Sequence, residues 1–350
     1  MSPDLRSAFA DYRAENPKAR IRTAARDLGA TEAELVATGV DGAAVPLAPP
    51  AGGWRALLHE FEAFGDVMAL TRNDACVHEK HGVYRNVDTA LPHGMALVGD
   101  EEIDLRLFCA RWASGFAVST PGPGGERRSL QFFDRHGDAV HKVFLTAASD
   151  GAAYDAFVAA HRTEAAPLAV EPRPEAAPDR PDAEVDAAAF LAGWDGLQDT
   201  HDFFPLLSAH KVGRTQALRL AEGRWTERAE PVAARRALEA AAEMGTPIMA
   251  FVGNPGAIQI HSGPVERLVQ HGPWFNVLDA RFNLHLDETQ IVDAWVVVKP
   301  TEDGDVTALE AYDAEGRQIV QLFGKRKPGI PELGAWREIV AGLPRLGVEA

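Results

Sequence analysis

The chain has 350 residues, of which 46% are hydrophobic and 25% are charged, and its formal net charge is −16. This length is enough for two domains of ordinary size, and the composition is that of a globular protein. The negative charge argues against nucleic acid or an anionic membrane surface as a partner, because both are polyanions.

The start of the chain, residues 1–20, is polar and helix-like and does not resemble a signal peptide. No apolar run approaches the roughly 20 residues that a membrane span needs. The two cysteines, Cys76 and Cys109, lie far apart and form no CxxC pair, which argues against a disulfide framework and a structural zinc site. We therefore expect a cytoplasmic protein that does not insert into membranes.

Each half of the chain is predicted to begin with helices and to continue with short strands. Helices are predicted for 18–39 and 206–243 and, closing the two halves, for 152–161 and 332–343. Strands are predicted for 248–252, 257–261, 293–299 and 306–312. Because short turns join these strands in sequence, antiparallel pairing is favoured over parallel βαβ units.

The two halves also resemble each other in sequence. Residues 81–87 match 271–277, 104–107 match 283–286, and 133–144 match 312–323, and the last two matches share an offset of 179. Such a period with two copies indicates a duplicated domain and not a solenoid. We predict an α+β fold with an internal duplication, in which each half is an antiparallel β-sheet flanked by helices and a ligand cleft lies between the halves.

The predicted boundaries are 1–163 for the N-terminal repeat and 190–350 for the C-terminal repeat. Residues 164–189 between them are rich in alanine, proline and acidic residues, which is typical of an exposed, semi-rigid linker.

The most informative segment for chemistry is 198–207, where His201 stands beside Phe203 and Phe204. Haem iron binds at such a place, because it needs an axial nitrogen ligand walled by apolar surface. By spacing alone, a histidine beside aromatic residues is more often structural. If it binds iron, its second ring nitrogen needs an acceptor, for which Asp202 or a backbone carbonyl is a candidate.

Basic residues in this acidic chain indicate where an anion could bind. Those that stand out are Arg214, Lys299, Lys325, Arg326 and Lys327. The two propionates of haem require cations at one edge, although each of these residues taken alone is more often an ordinary surface charge. Strand alternation would put Arg106 and Phe108 on one face of a sheet, which suggests that Arg106 reaches an anion.

Several longer stretches resemble the bacterial haemin-degrading and haem-trafficking factor family, the HemS/HmuS/ChuS type. They are 199–204, 259–264, 274–279, 282–286, 298–301 and 321–329. The resemblance covers nearly the whole chain. It implies that haem b (iron protoporphyrin IX) lies in a cleft between the halves and that His201 is the iron ligand.

The same resemblance implies roles for further residues. Arg106 would approach the distal face of haem, and would be catalytic if the protein is an enzyme. The residues around the propionates would be Arg214, Lys299, Gln321 and Arg326, and Phe323 would pack nearby. One departure is that the family's typical Arg-Lys-Pro is Val298-Lys299-Pro300 here, so one cation is missing.

The function implied is that of a cytoplasmic haem-binding protein of haem uptake and iron acquisition, which traffics or degrades haem. The implied partners are a haem ABC importer and a haem oxygenase or reductase. One alternative is an enzyme proper, which opens the haem ring as a haem oxygenase does with an external electron donor. The other alternative is a protein that binds a ligand other than haem.

Overall fold

A computed structural model describes residues 3–122, 124–164, 168–175, 177–327 and 329–347. The chain divides into two units. Unit 1 consists of the residues up to Arg72, together with His78–Pro174 and Gly253–Gln259. Unit 2 consists of Asn73–Val77, Glu175–Val252 and the residues from Ile260 onward. Each unit therefore includes one short turn from the other part of the chain.

The helices of unit 1 are α1 (Pro3–Glu15), α2 (Ile21–Asp27), α3 (Glu32–Ala37) and α4 (Gly151–His161), with 3-10 helices at Trp54–Phe64, Pro92–Gly94 and Cys109–Arg111. The strands are β1 (Ala43–Leu47), β2 (Gly65–Arg72), β3 (Cys76–Gly82), β4 (Val87–Asp88), β5 (Met95–Gly99), β6 (Asp104–Phe108), β7 (Trp112–Gly122), β8 (Gly125–Asp134) and β9 (Ala139–Ser149). Strands β1, β7, β8, β9 and β2 pair antiparallel in that order, and so do β4, β5 and β6.

The helices of unit 2 are α5 (Ala187–Asp195), α6 (Phe203–His210), α7 (Arg214–Leu220), α8 (Ala233–Met244) and α9 (Gly334–Ala341), with 3-10 helices at Asp182–Glu184, Thr200–Asp202 and Glu288–Gln290. The strands are β10 (Thr226–Ala229), β11 (Ile248–Asn254), β12 (Ala257–Gly263), β13 (Leu268–His271), β14 (Trp274–Leu278), β15 (Phe282–Asp287), β16 (Asp293–Lys299), β17 (Val306–Tyr312) and β18 (Gln318–Gly324). Strands β10, β16, β17, β18 and β11 pair antiparallel in that order, and so do β13, β14 and β15.

The duplication predicted from the sequence is confirmed by this topology. Each strand of unit 2 occupies the place of the strand numbered nine lower in unit 1. The register repeats as well, since Gln131 lies opposite Lys142 and Glu310 lies opposite Gln321, both at the offset of 179. Antiparallel sheets flanked by helices in each copy are likewise as predicted.

The predicted helix over 206–243 was wrong in its middle. After α7 a turn at Gly223, whose φ is 79°, leads into β10, and α8 follows only at Ala233. Strand β10 pairs with β16 and buries Thr226 and Ala229, so tertiary pairing overrides the local helical propensity.

The predicted linker, 164–189, lies in a mostly exposed segment, and part of it, residues 165–167 and 176, is outside the described residues. In unit 1 the backbone N–H of Glu171 donates to the carbonyl of Arg135 at 2.8 Å. In unit 2 the carbonyl of Arg180 accepts from Gln216 at 2.7 Å. Helix α5 begins at Ala187, inside the predicted linker, and the repeat boundaries stay a prediction.

Side chains of the central strands of unit 2 alternate between the two faces of the sheet, and different helices cover each face. Val296 and Leu309 pack with α8 and α9, whereas Trp295, Val297 and Ala308 face α5, α6 and α7. Both faces are buried, as expected for a sheet covered on both sides. Among the described residues, no helix combines the length and the apolar character that crossing a membrane requires.

Candidate functional site

His201 lies on a single turn of 3-10 helix that a reciprocal cap holds in place. Asp199 accepts the backbone N–H of His201 at 2.8 Å, and the carboxylate of Asp202 accepts the backbone N–H of Asp199 at 3.1 Å. The carboxylate of Asp199 thus caps the backbone N–H of His201, and the carboxylate of Asp202 caps that of Asp199, as in a capping box. The backbone that carries His201 is thereby fixed.

The imidazole of His201 is presented to solvent, with its side chain 92% exposed. Its Nδ1 lies 2.6 Å from Oδ1 of Asp199. The acceptor of the ring is therefore Asp199, whereas the sequence had suggested Asp202 or a backbone carbonyl. The backbone hydrogen bond from His201, aided by the bond from its ring, lowers the pKa of Asp199. Within the described part of the chain, Nε2 has no hydrogen-bond partner and is available to a ligand.

The two phenylalanines after His201 point in opposite directions. Phe203 is buried, with its ring 4.5 Å from that of Trp194, while Phe204 is 71% exposed. A large exposed apolar side chain beside an exposed imidazole is what a flat apolar ligand with a metal centre would contact. Phe203 in turn connects the turn to a buried group of charges.

A buried carboxylate, Glu310, gathers several of the residues predicted around the propionates. It is 0% exposed, and Arg214 binds it through Nη2 at 2.6 Å and Nε at 3.0 Å. Gln321 donates to it at 2.7 Å, and Nζ of Lys299 lies 3.5 Å away. Tyr312 also donates to this carboxylate. We call Arg214, Lys299, Glu310, Tyr312 and Gln321 the Glu310 cluster.

The cluster contacts the turn of His201 through Phe203. Nζ of Lys299 lies 4.6 Å from the centre of the Phe203 ring, and the guanidinium carbon of Arg214 lies 5.5 Å from it. Both distances are in the range of cation–π contacts. The structure therefore brings two of the predicted cations, Arg214 and Lys299, into contact with Phe203, which lies two residues after His201, the predicted iron ligand.

The charges of the Glu310 cluster shift one another strongly. Burial opposes ionisation of Glu310, but Arg214 and Lys299 outweigh it and lower the pKa of Glu310 to about 2. Burial lowers the pKa of Lys299 to about 8, and the nearby charge of Arg214 adds to this effect, against the opposing attraction of Glu310. Arg214 stays protonated, because Glu310 raises its pKa in spite of burial. With two cations and one carboxylate, the cluster carries a surplus positive charge.

Arg326 and Phe323 are the remaining residues predicted around the propionates. Arg326 lies 3.7 Å from Asp303, and its Nε is buried and makes no hydrogen bond within the described part of the chain. Phe323 packs edge-on against Phe251 at 5.1 Å and borders the core that includes Phe203. A buried donor without an acceptor is rare, and it fits a place where an anionic ligand supplies the acceptor.

Arg106 lies in unit 1, on β6. As predicted, it shares a partly exposed face with Phe108, while Leu105 and Leu107 are buried. Its guanidinium is 35% exposed and pairs with Asp104. The distal role of Arg106 stays a prediction.

Other histidines of unit 2 have structural surroundings. His261 stacks on Phe282 at 3.7 Å, His285 is bonded to Asn276 at 2.7 Å, and the ring of His210 packs against Phe190. The imidazole of His201 differs from these three rings in being exposed.

An open cavity of about 570 Å³ in unit 2 is lined by residues of β10, β16 and α9, such as Thr226, Val296 and Val340, and by the flanking residues Trp225 and Arg345. It lies on the α8 and α9 face of the sheet, and none of the predicted site residues lines it. Its Arg345 is neutralised by Glu227 at 2.8 Å. The surplus charge of the Glu310 cluster makes the opposite face the better place for an anionic ligand.

Sequence reasoning missed Asp199 and Glu310. Glu310 could have been noticed as the single acidic residue in the strand Val306–Tyr312, all of which is buried. Asp199 could have been noticed as a favourable N-cap residue three positions before Asp202. Neither signal says which side chain the carboxylate meets.

Comparison with known proteins gives a consistent picture. A family model described as the haemin-degrading HemS.ChuX domain matches residues 29–161 and again 211–343. The chain is 38% identical to the hemin transport protein HemS of Yersinia enterocolitica over 351 residues, which covers 100% of both chains.

Two solved structures are similar along nearly the full length. Holo-PhuS, a heme-binding protein from Pseudomonas aeruginosa, has a TM-score of 0.94 and 48% identity, with 99% of this chain and 100% of that chain covered. The heme-degrading enzyme ChuS of Escherichia coli O157:H7 has a TM-score of 0.89 and 35% identity, with 97% and 99% covered.

Proposed function

We propose that this chain, which belongs to the haemin-degrading HemS/ChuX family, binds haem as its cargo in the uptake of haem for iron acquisition. The observation that carries the proposal is the exposed imidazole of His201. Its Nε2 is unengaged within the described residues, and the exposed ring of Phe204 stands beside it. We further propose that the cargo is haem b and that the protein works in the cytoplasm, where its two buried cysteines stay reduced.

Each part of haem has a group in unit 2 that suits it. A neutral imidazole nitrogen is a common axial ligand of haem iron, which is the role proposed for His201. The surplus charge of the Glu310 cluster suits the carboxylates of the propionates, and so does Nε of Arg326, which makes no hydrogen bond among the described residues. The proposed contacts with haem are those of Arg214, Lys299, Gln321, Phe323 and Arg326.

Arg106 is proposed to act on the distal side of haem. Its support is its place on a partly exposed strand face, where a guanidinium paired with an acidic neighbour can still turn to an anionic ligand. If it takes part, Arg106→Ala alters the spectrum of bound haem while the stoichiometry stays that of the wild type.

The first test is a haemin titration that follows the Soret band in the wild type, His201→Ala and His210→Ala. The wild type is expected to saturate at a fixed stoichiometry. His201→Ala is expected to lose about 10-fold to 100-fold in affinity and to show an altered spectrum, because the axial nitrogen is gone. His210→Ala, whose ring packs against Phe190, serves as the control and should match the wild type. Equal spectra for the wild type and His201→Ala would move the ligand elsewhere, and no binding by the wild type would refute the proposal.

A second candidate function is enzymatic opening of the haem ring. It is favoured by the 35% identity to the heme-degrading enzyme ChuS over nearly the whole chain. That reaction consumes O₂ and electrons, so an external donor such as a reductase partner must supply the electrons. A single turnover with a reductant and catalase separates the two functions. A bilin product that forms in the presence of catalase indicates the enzyme.

The carrier function predicts a different outcome in the same experiment. Haem then stays unchanged and passes readily to an added haem oxygenase. The partners proposed for a carrier are a haem ABC importer that delivers haem and a haem oxygenase that receives it.

A further inference from the structure

One carboxylate oxygen, Oδ1 of Asp199, holds both the backbone and the ring of His201. It lies 2.8 Å from the backbone nitrogen and 2.6 Å from Nδ1 of the ring. Two contacts to one atom fix the orientation of the imidazole relative to its own backbone. Asp202 makes no such contact with the ring, because its carboxylate binds the backbone N–H of Asp199 at the other end of the turn.

A carboxylate next to a ring nitrogen also decides where the ring proton lies. An ionised carboxylate can only accept a hydrogen bond, so the neutral imidazole must carry its proton on Nδ1. The lone pair is then on Nε2, which has no hydrogen-bond partner among the described residues and belongs to a side chain that is 92% exposed. Without this acceptor, the ring would distribute its proton between both nitrogens.

We infer that Asp199 is a positioning residue that selects the Nδ1–H tautomer of His201 and strengthens Nε2 as a donor to ferric haem iron. This inference rests on the proposed haem-binding function. A negative charge behind the ring makes the nitrogen a better donor and favours Fe(III) over Fe(II). Asp199 is itself 61% exposed, so water weakens the influence of its charge on the imidazole. Loss of Asp199 is therefore expected to lower haem affinity by about tenfold, the low end of the range for such partners of a metal ligand.

The competing interpretation is that Asp199 only caps the turn. Asp199→Ser separates the two roles, since serine caps a helical turn about as well as aspartate but removes the charge and the acceptor that reaches the ring. Asp199→Asn keeps the cap and an uncharged acceptor. Asp202→Asn is the matched control, because it removes a negative charge from the same cap at a side chain that does not contact the imidazole.

The decisive measurement is the ¹⁵N NMR spectrum of the ring nitrogens of His201 in the full-length apoprotein near neutral pH. The wild type and Asp202→Asn are expected to show a protonated Nδ1. Asp199→Ser is expected to show mainly the Nε2–H form, which a free histidine prefers in water. A tautomer that does not change in Asp199→Ser would overturn the inference.

Haem binding gives the second readout. Asp199→Ser is expected to lose about tenfold in affinity for ferric haem and to shift the reduction potential upward. Asp199→Asn should lie between Asp199→Ser and the wild type, and Asp202→Asn should stay within about threefold of the wild type, as for a surface residue outside the site. Equal losses in Asp199→Ser and Asp202→Asn would assign Asp199 to the cap alone. A wild type with the Nδ1–H tautomer that bound no haem would refute haem binding and leave the tautomer selection standing.

Discussion

Glu310 is a carboxylate without access to water, and the groups around it determine what else can bind there. An ion of this kind costs several kcal/mol to bury unless it is paired and fully hydrogen-bonded. Arg214 and Gln321 supply these bonds, and Lys299 adds a second cation. Since two cations surround one carboxylate, the cluster gains from an additional negative charge. This is the electrostatic reason to place propionates beside it.

The proposed contact of Lys299 with haem predicts that haem affinity falls at alkaline pH. Burial lowers its pKa to about 8, so the free protein loses this cation as the pH rises through about 8. Binding of a propionate then requires Lys299 to take up a proton, and affinity should fall by up to about tenfold per pH unit above that value. The measurement is the haem Kd at pH 7 and pH 9.

The control for this prediction is Lys299→Arg. Arginine stays protonated over this range, so the variant should lose much less affinity between pH 7 and pH 9 than the wild type. An equal loss in both proteins would show that deprotonation of Lys299 is not the cause.

Equivalent strand pairs in the two copies carry different polar side chains. In unit 2 the pair on β17 and β18 is Glu310 opposite Gln321. In unit 1 the equivalent pair on β8 and β9 is Gln131 opposite Lys142, and Lys142 forms a buried ion pair with Glu32 of α3. The surplus charge of unit 2 therefore belongs to one copy, although the strands that carry it are duplicated.

Strands β2 and β9 of unit 1 share a buried polar group that should make this unit sensitive to acid. His141 bonds Thr71 at 2.9 Å and Tyr84 at 2.6 Å, and burial lowers its pKa to about 3. Between the ordinary histidine value of about 6.5 and about 3, the unfolded chain therefore binds more protons than the folded one. The free energy of unfolding should fall by about 1.4 kcal/mol per pH unit as the pH drops through this window.

The measurement is urea unfolding at pH 7, 6 and 5 of the wild type and of His141→Gln. Glutamine can still bond its neighbours but does not titrate, so the variant should be less stable at pH 7 and less dependent on pH. If both proteins lose stability in parallel as the pH falls, the acid sensitivity does not come from His141.

Two asparagines, Asn73 and Asn254, make equivalent hydrogen bonds in the two units of the molecule. Asn73 donates to the carbonyl of Ile319 at 2.8 Å, and Asn254 donates to that of Val140 at 2.9 Å. The two acceptors, like the strand pairs, differ by 179 in number. Each asparagine also accepts two backbone N–H groups of its own turn, and these turns, Asn73–Val77 and Gly253–Gln259, are the segments that each unit takes from the other part of the chain.

Asn254→Ala should therefore destabilise the protein more than a typical loop substitution. It removes donors to Arg72 and Val140 and the acceptor within the turn, and a loss of about 1–3 kcal/mol in the free energy of unfolding is expected. Asn16→Ala is the control, because the exposed side chain of Asn16 donates one long hydrogen bond, 3.3 Å to the carbonyl of Tyr12; it should change stability by less than about 0.5 kcal/mol. Equal effects of the two substitutions would contradict this role of Asn254.

The duplication, the predicted strands and the prediction of His201 as a ligand all come from signals within continuous segments of the sequence. The strands 293–299 and 306–312 have the predicted bounds, because short β-rich runs bounded by turn residues are local signals. His201 was singled out by its aromatic neighbours and by resemblance to a family, and both are properties of a continuous segment.

Only the tertiary structure decided which groups meet. Glu310 is 96 residues from Arg214 in sequence, and pairing of β16, β17 and β18 is what brings its carboxylate to Lys299 and Gln321. Strand β10 likewise exists because β16 offers it a partner, against its local helical propensity. Asp202 is nearer to His201 in sequence than Asp199 is, yet in the folded turn Asp199 contacts the ring. Hydrogen bonds depend on direction and distance, which a linear pattern does not contain.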